Sequence, residues 1–475
     1  MPINHGVIKV LASRRRHFLP VMGLLVGFGW VSPAIAGEPP DSLDELLQMD
    51  GGKSSDGAGK ANMDAGGWNP KFQGYFGFFQ NKTAYTYPAT GHWSLSRNLL
   101  DLGARGSLSP GIKWLASGRV AYDPVYQTTS YYPADVRHDQ TLELMFRETY
   151  LDASFGDWDL RVGRQHIIWG EMVGLFVADV ASAKDLRQFV LQDFDILRTP
   201  QWAIRNEYFK GDFHAEAVWI PVVTYSNIGK VGAEFYPFKP PAVPGYQNDI
   251  LNDNPAPRTI GNTAYGLRLS YLLAGFDTSI FYYSTPDLLP AFSRSFWQGA
   301  SSIIYTPIHN RVQQWGATFA KDLTENAVLK SEVVYTRDRL VSTFSLSDSD
   351  GLVKQNILDY IVGLDFTFAE ETRVNLQFFQ EIYPDRDPGI GPSQFETGYS
   401  LLLSTRYFHP KVEPQILFIQ SLNRYDWMLQ AKTAWEFSTN WRWVGGLDAF
   451  GGTSNGLFGR YDQTDRVYTE LRYSF

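Results

Sequence analysis

The sequence predicts an all-β membrane protein, a transmembrane antiparallel up-and-down β-barrel of about eighteen strands with long extracellular loops and short periplasmic turns. Three observations carry this: an export signal at the N-terminus, alternating segments from Phe72 to the last residue, and connections that are alternately short and long. Composition agrees with one large architecture. The 475 residues include 14 Trp, 26 Tyr and 32 Phe, no cysteine, and only 19% charged residues. So many aromatics exclude a disordered chain, and the missing cysteines exclude disulfide frameworks, thiolate metal sites and cysteine nucleophiles. A hydrophobic content of 44% at a mean hydropathy of -0.24 means that apolar residues are dispersed among polar ones. That argues against a bundle of membrane helices.

Residues 1–36 read as a signal peptide: Lys9 and Arg14 to Arg16, an apolar stretch from Phe18 to Val31, then Ala34-Ile35-Ala36 before Gly37. Arg15-Arg16-His17-Phe18-Leu19 looks like a twin-arginine signal, but the barrel pattern downstream favours an ordinary secretory signal and export of an unfolded chain. Removing those four positive charges takes the net charge from -8 to about -12, so nucleic acid is not expected as a partner. Residues 37–70 read as a periplasmic leader, with Ser42 capping a short amphipathic helix and a Gly/Ser/Ala-rich linker from Gly51 to Gly67. This is too little chain for a folded plug.

Residues 71–475 carry the barrel. Tyr265, Leu267, Leu269 and Tyr271 share one face and Gly266, Arg268 and Ser270 the other; Tyr399, Leu401 and Leu403 likewise oppose Ser400 and Ser404. Short connections fall at Ser109-Pro110-Gly111, Gly156-Asp157, Gly211-Asp212, Ala274-Gly275, Thr324 to Asn326, Ala369 to Thr372, His409-Pro410 and Ser438 to Asn440. Between them lie long ones at about residues 85–97, 123–140, 170–199, 222–261, 286–310, 341–356, 384–394 and 451–464, plus a short one from Asn423 to Asp426. Greek-key sandwiches do not alternate in this way, whereas a barrel with one rim in the periplasm does. Nine hairpins give eighteen strands, or sixteen if Pro414 breaks the hairpin around Asn423. Trp202, Trp219, Trp315, Trp427, Trp435, Trp441 and Trp443 near strand ends suit two interfacial girdles. Leu471, Tyr473 and Phe475 at alternate terminal positions resemble the signal read by the barrel-insertion machinery. The expected home is the Gram-negative outer membrane, with its lipid and that machinery as partners.

The face opposite the apolar one lines the lumen. It receives Arg268, Lys330, Glu332, Asp365, Arg373, Asn375, Gln377, Arg406, Lys432, Glu436, Arg442, Asp448, Glu470 and Arg472, seven basic and five acidic residues with two amides. Such an interior is wet and weakly anion-preferring. Two stretches break the pattern. Leu142, Leu144 and Phe146 have the opposite parity to Leu151, Ala153 and Phe155, which requires a bulge near Arg147 to Thr149. Gly163 similarly offers a kink that would turn Arg164 inward. Both departures would gather Arg147, Glu148, Arg161, Arg164 and Glu171 into one charged cluster, since an Arg at mid-depth on the lipid face costs about 2 to 4 kcal/mol. The second stretch is the connection of residues 170–199, with Asp179, Asp185, Arg187, Asp193, Asp195 and Arg198 beside Leu175, Phe176, Leu186, Phe189, Leu191 and Phe194. Its apolar side has no reason to float in water, so an inward fold that narrows the pore is expected, with an outer cap as the other reading.

Arg147-Glu148, Tyr150-Leu151-Asp152, Gly163-Arg164-Gln165, Trp169-Gly170-Glu171, Asp179 and Asp185-Leu186-Arg187 together resemble an uncharacterised family of proteobacterial outer-membrane barrels, carried as a domain of unknown function. Members often sit beside resistance-nodulation-division (RND) type exporters, so the resemblance implies movement of lipidic or hydrophobic compounds and an RND-type export system as a partner. The chain is more distantly similar to alginate-export barrels, whose strongly basic lumens it lacks. No enzyme is expected: the eight histidines show no ligand spacing, and no nucleophile elbow, Walker loop or dinucleotide pattern stands out. No metal or cofactor is expected. The sequence thus points to a channel for passive passage of small or hydrophobic solutes, with Arg147, Glu148, Arg161, Arg164, Glu171, Asp179, Asp185, Arg187, Arg268, Arg373 and Arg406 as pore residues. A scaffold or surface-binding barrel tied to an export system is the alternative.

Overall fold

A computed structural model describes residues 70–475 except 89, 90, 171, 241, 242, 256, 258, 298–300, 370, 407 and 408. The expected signal peptide and, but for Pro70, the expected leader lie outside the described residues.

Eighteen strands form the wall, in chain order β1 (Lys71–Thr86), β2 (His92–Ser109), β3 (Ile112–Tyr122), β4 (Leu142–Phe155), β5 (Trp158–Gln165), β6 (Gln201–Lys210), β7 (Phe213–Val222), β8 (Ala264–Leu273) and β9 (Phe276–Pro286). They continue as β10 (Arg311–Thr324), β11 (Ala327–Ser342), β12 (Leu352–Phe368), β13 (Thr372–Ile382), β14 (Phe395–Thr405), β15 (Val412–Ser421), β16 (Asp426–Ser438), β17 (Trp441–Gly451) and β18 (Arg466–Ser474). Each pairs antiparallel with its chain neighbours, and Thr83 of β1 faces both Ser96 of β2 and Thr469 of β18, which closes the barrel. The last residue locks the seam: Gly77 and Phe475 exchange main-chain hydrogen bonds at 3.0 Å. A closed sheet satisfies the backbone in lipid, which is why this architecture can span.

Alternation sets the two faces. Val362, Leu376, Phe378 and Leu403 point outward and are exposed, while Asn375, Gln377, Ser400 and Ser404 point inward and are buried. Tyr282, Trp315 and Tyr335 run side by side across β9, β10 and β11 with ring centroids 5.3 and 6.0 Å apart, one segment of a girdle. Trp441 and Tyr473, 4.8 Å apart, belong to the opposite rim with Phe475. Pro414 does not break its strand. It sits in β15 opposite Thr433, the hairpin forms, and the count of eighteen stands. The first long connection is shorter than the sequence suggests, because β1 runs to Thr86 and β2 starts at His92.

The outer connections are built structures. Short helices at Val125–Thr128 and Ala134–Thr141 join β3 to β4, and a hairpin of Ala291–Trp297 with Ser302–Ile308 takes Gln247–Ile250 as a parallel third strand. Among the described residues no helix is long and apolar enough to cross a membrane, which says nothing against a barrel.

Candidate pore site

The bulge expected beside Arg147 is present. Gly118 of β3 faces Phe146 and Ala116 faces Thr149, so Arg147 and Glu148 together oppose the single residue Ser117. The hydroxyl of Ser117 occupies the gap, donating to the Glu148 carbonyl at 3.1 Å and accepting from the Glu148 N–H at 3.0 Å. Parity flips across this point, so Phe146 stays outside while Arg147 is buried inside. There its guanidinium donates to the main-chain oxygens of Arg198 at 2.7 Å and Asp195 at 2.6 Å, and stands 3.7 Å from Asp101. Arg119 holds the same Asp101 at 2.8 Å and donates to the carbonyls of Asp195 and Ile196. Two wall arginines therefore grip one turn of the loop between β5 and β6.

That loop, residues 166–200, lies inside the barrel and touches inward-facing residues on distant strands. Trp169 is buried against Phe281 and Tyr283 of β9 and donates to Glu216 of β7 at 3.2 Å. Glu332 of β11 accepts from the N–H groups of Met172 at 3.2 Å and Ala178 at 2.8 Å. Phe189, Val190 and Leu191 pack with Ile419, Met428, Phe450, Phe458 and Tyr461, on β15 to β17 and the connection that follows. Phe189 takes a φ of 52°, a left-handed conformation that costs about 1 to 3 kcal/mol in a bulky residue. Its ring sits 5.1 Å from that of Tyr461, the contact that conformation delivers.

Charge pairs pin the loop as well. Asp179 accepts from Arg198 at 3.1 Å, Asp185 binds Arg187 at 2.9 and 2.7 Å, and Arg187 also pairs with Glu143 of β4. Burial works to raise Asp185, but Arg187 outweighs it and holds the carboxyl below the usual range. Near the tip, Lys432 of β16 stands 3.5 Å from Asp193 and Arg472 of β18 donates to Asp195 at 2.9 Å. Burial again opposes ionisation of Asp193, yet Lys432, Arg442, Lys82 and Arg472 hold it charged, below the usual carboxylate range. A cavity of about 40 Å³, room for a few waters, lies between them, lined by Lys82, Asp193, Lys432, Arg442, Tyr468 and Glu470. The loop thus presents acids to a wall of cations. His166 is kept neutral, its pKa pushed well down by burial and then by Arg147, Arg198, Arg119 and Arg164.

The other expected members are dispersed. Arg161 pairs with Asp152 at 2.7 Å near the periplasmic end of β5, apart from the Arg147 grip. Gly163 has a φ of 135°, yet β5 pairs through it without a register shift. Arg164 therefore stays opposite Thr149 and Trp202, on the parity of the exposed Val162, and the expected inward turn does not occur. Glu171 lies outside the described residues. Arg268 donates to Ser279 at 3.1 Å and stands opposite Glu216 and Phe281, both touched by Trp169 of the loop; Arg373 is the second residue of β13 and Arg406 pairs with Glu413 at 3.1 Å, both beside short turns of the periplasmic rim. Sequence reasoning missed Arg119 and Asp101, and it met Trp169 only within the family motif, without a role. Inward parity on β2 and β3 could have flagged the first two. Among the described residues no group of three or more His, Asp or Glu side chains is placed to hold a metal ion.

A family model covers most of this wall and its loops, matching residues 90–475. The chain belongs to the DUF1302 family, described as proteins of unknown function. No curated protein sequence matches it. Among solved structures it is similar to OccAB1 of Acinetobacter baumannii at 7% identity and a TM-score of 0.51, covering 84% of this chain and 95% of that one. It is similar to OccAB4 of the same organism at 9% identity and a TM-score of 0.50, covering 87% and 100%. Pseudomonas aeruginosa OpdK, solved with vanillate, gives 8% identity and a TM-score of 0.50, covering 86% and 100%. At such identities the likeness shows the fold alone: this DUF1302 member is a closed β-barrel of porin type.

Proposed function

We propose that the barrel is an outer-membrane channel for passive passage of small or hydrophobic solutes, with the loop of residues 170–199 as its constriction. The observation that carries this is the loop's span: it is bonded to Glu332 on β11 and to Arg472 on β18 while rooted between β5 and β6. A segment anchored at three separate places around the wall narrows the lumen. Arg147, Asp179, Asp185 and Arg187 act as its fastenings rather than as a free filter, and Asp193 and Asp195 facing Lys82, Lys432, Arg442 and Arg472 are the charges that passing solutes meet. Arg373 and Arg406 line the periplasmic vestibule, and Arg268 stands beside the loop's Trp169 anchor. Purified protein in liposomes should permit swelling by small sugars, and a barrel that blocks swelling would sink the reading.

A second reading, a surface-binding barrel associated with an RND-type exporter, draws on the outer cap. Glu234, in the connection after β7, accepts from Thr86 at 2.7 Å and Tyr132 at 2.8 Å, while Phe235 beside it is buried against Phe450 and Tyr461. An ordered cap of this kind offers a fixed face to a partner. Deleting the hairpin of residues 291–308 should then abolish partner capture without changing permeability.

A further inference from the structure

The wall is interrupted beside the bulge. β5 has eight residues and ends at Gln165, so its pairing with β4 stops at Thr149 opposite Arg164. Leu142 to Phe146 then pair with β3 on one side, and among the described residues no strand pairs with them on the other. The chain that would have continued β5 turns inward instead, to Ile167 and Trp169. Just below the end of β5, where β4, β5 and β6 are still paired, β6 and β7 are irregular: Trp219 faces Ile204 but Val222 faces Trp202, with Ile220 and Pro221 bulged opposite Ala203, and Pro221 has no N–H to give. The open edge of β4 thus begins where β5 and its pairing with β6 end, one step above that bulge.

The lining of this notch is apolar with one cation. Leu144 and Phe146 on the open edge are 72% and 73% exposed, and Trp202, paired with Arg164, stands at the lower lip. Behind the notch lie Ile167, Trp169, Ala178 and Ala181, in one buried cluster with Val218 and Ile220 of β7. At its lower lip is Arg164, half-buried, with no hydrogen bond or ion pair among the described residues and with its Nε already closed off from solvent. An arginine in that setting lacks the anion that usually accompanies it.

We propose that this notch between β4 and β6 is a lateral portal through which amphipathic anions with one alkyl chain move between the lumen and the outer leaflet, the head group held by Arg164 and the chain lying on Leu144, Phe146 and Trp202. The proposal rests on the channel reading but is tested apart from it. The full-length protein is reconstituted into phosphatidylcholine liposomes free of lipopolysaccharide, with a diazirine-bearing palmitate or its neutral alcohol, irradiated, and the adducts mapped. Palmitate adducts should concentrate at Leu144, Phe146 and Trp202 and continue inward to Ile167 and Trp169. Arg164→Gln should lower palmitate labelling about fivefold, to the level of the alcohol, and Arg164→Lys should restore most of it. Even labelling of lipid-facing positions such as Val362 and Leu376, adducts confined to the outer surface, or equal labelling by acid and alcohol would each overturn the portal. Lipopolysaccharide added afterwards distinguishes sources: if its phosphates displace the palmitate completely, Arg164 is a lipid-anchoring residue and the portal fails. Sugar-driven swelling of the same liposomes reports the axial channel independently.

Discussion

Arg472 of β18 donates to the carboxylate of Asp195 at 2.9 Å, across 277 residues of sequence. The pair fastens the tip of the inner loop to the strand that closes the barrel, and Arg147 holds the same residue from the other side through its main-chain oxygen at 2.6 Å. With about a fifth to a quarter of each side chain exposed, the Arg472 pair is only partly desolvated. Asp195→Asn should cost the docked loop about 1 kcal/mol, discounted for that exposure. Raised open-channel noise in single-channel records, with a shift toward anions, is the expected signature; unchanged traces would show that the loop is held elsewhere.

Glu332 is the second fastening. Its carboxylate accepts two loop N–H groups, and Glu332→Ala would leave both buried donors unpaired at about 1 to 3 kcal/mol each. Limited proteolysis should then cut between residues 170 and 180, where the wild-type protein resists. Equal resistance in both would contradict the assignment.

Trp169→Ala removes a large buried ring from Phe281 and Tyr283, at about 3 to 5 kcal/mol. The loss falls on the loop rather than on the wall, whose backbone pairing is untouched. Hydrogen exchange should rise in residues 166–181 and stay flat in β9, whereas protection lost in both would mean that the loop supports the barrel itself.

Two carboxyls outside the wall respond to pH with opposite sign. Asp193, held below the usual range, contributes stability that is present above its unfolded value and lost as pH falls through the lower folded value. The loop tip should therefore stay docked at pH 5 and release only in stronger acid, at or below about pH 4. Asp123, which accepts from the N–H groups of Ser96 and Val125, is pushed up to about 6 by burial. Its contribution is full below the unfolded value of about 4 and is lost as pH rises through about 6, so amide exchange at Ser96 and Val125, corrected for intrinsic rates, should quicken between pH 5 and 7. Asp123→Asn should flatten that change.

Most of the wall is legible in the sequence because alternation and connection length are local signals. The bulge at Arg147 and Glu148 is legible for the same reason, since Phe146 and Leu151 cannot both face lipid without it. Arg164 is not, because Gly163 could change φ without changing register and only the pairing to Trp202 shows that it did so. Fastenings such as Glu332 to Ala178 or Arg119 to Asp195 join residues 154 and 76 positions apart, and no periodicity reports which lumen charge meets which loop amide. The apolar content of residues 170–199 does foretell that the loop packs on something; the inward-facing side chains decide what.

If the inner loop narrows an open path, as proposed, single-channel conductance in planar bilayers will show it. The wild-type barrel should give discrete small steps, and a variant with residues 172–190 replaced by a short Gly/Ser linker should give severalfold larger ones. Silence from both, or steps of equal size, would contradict it.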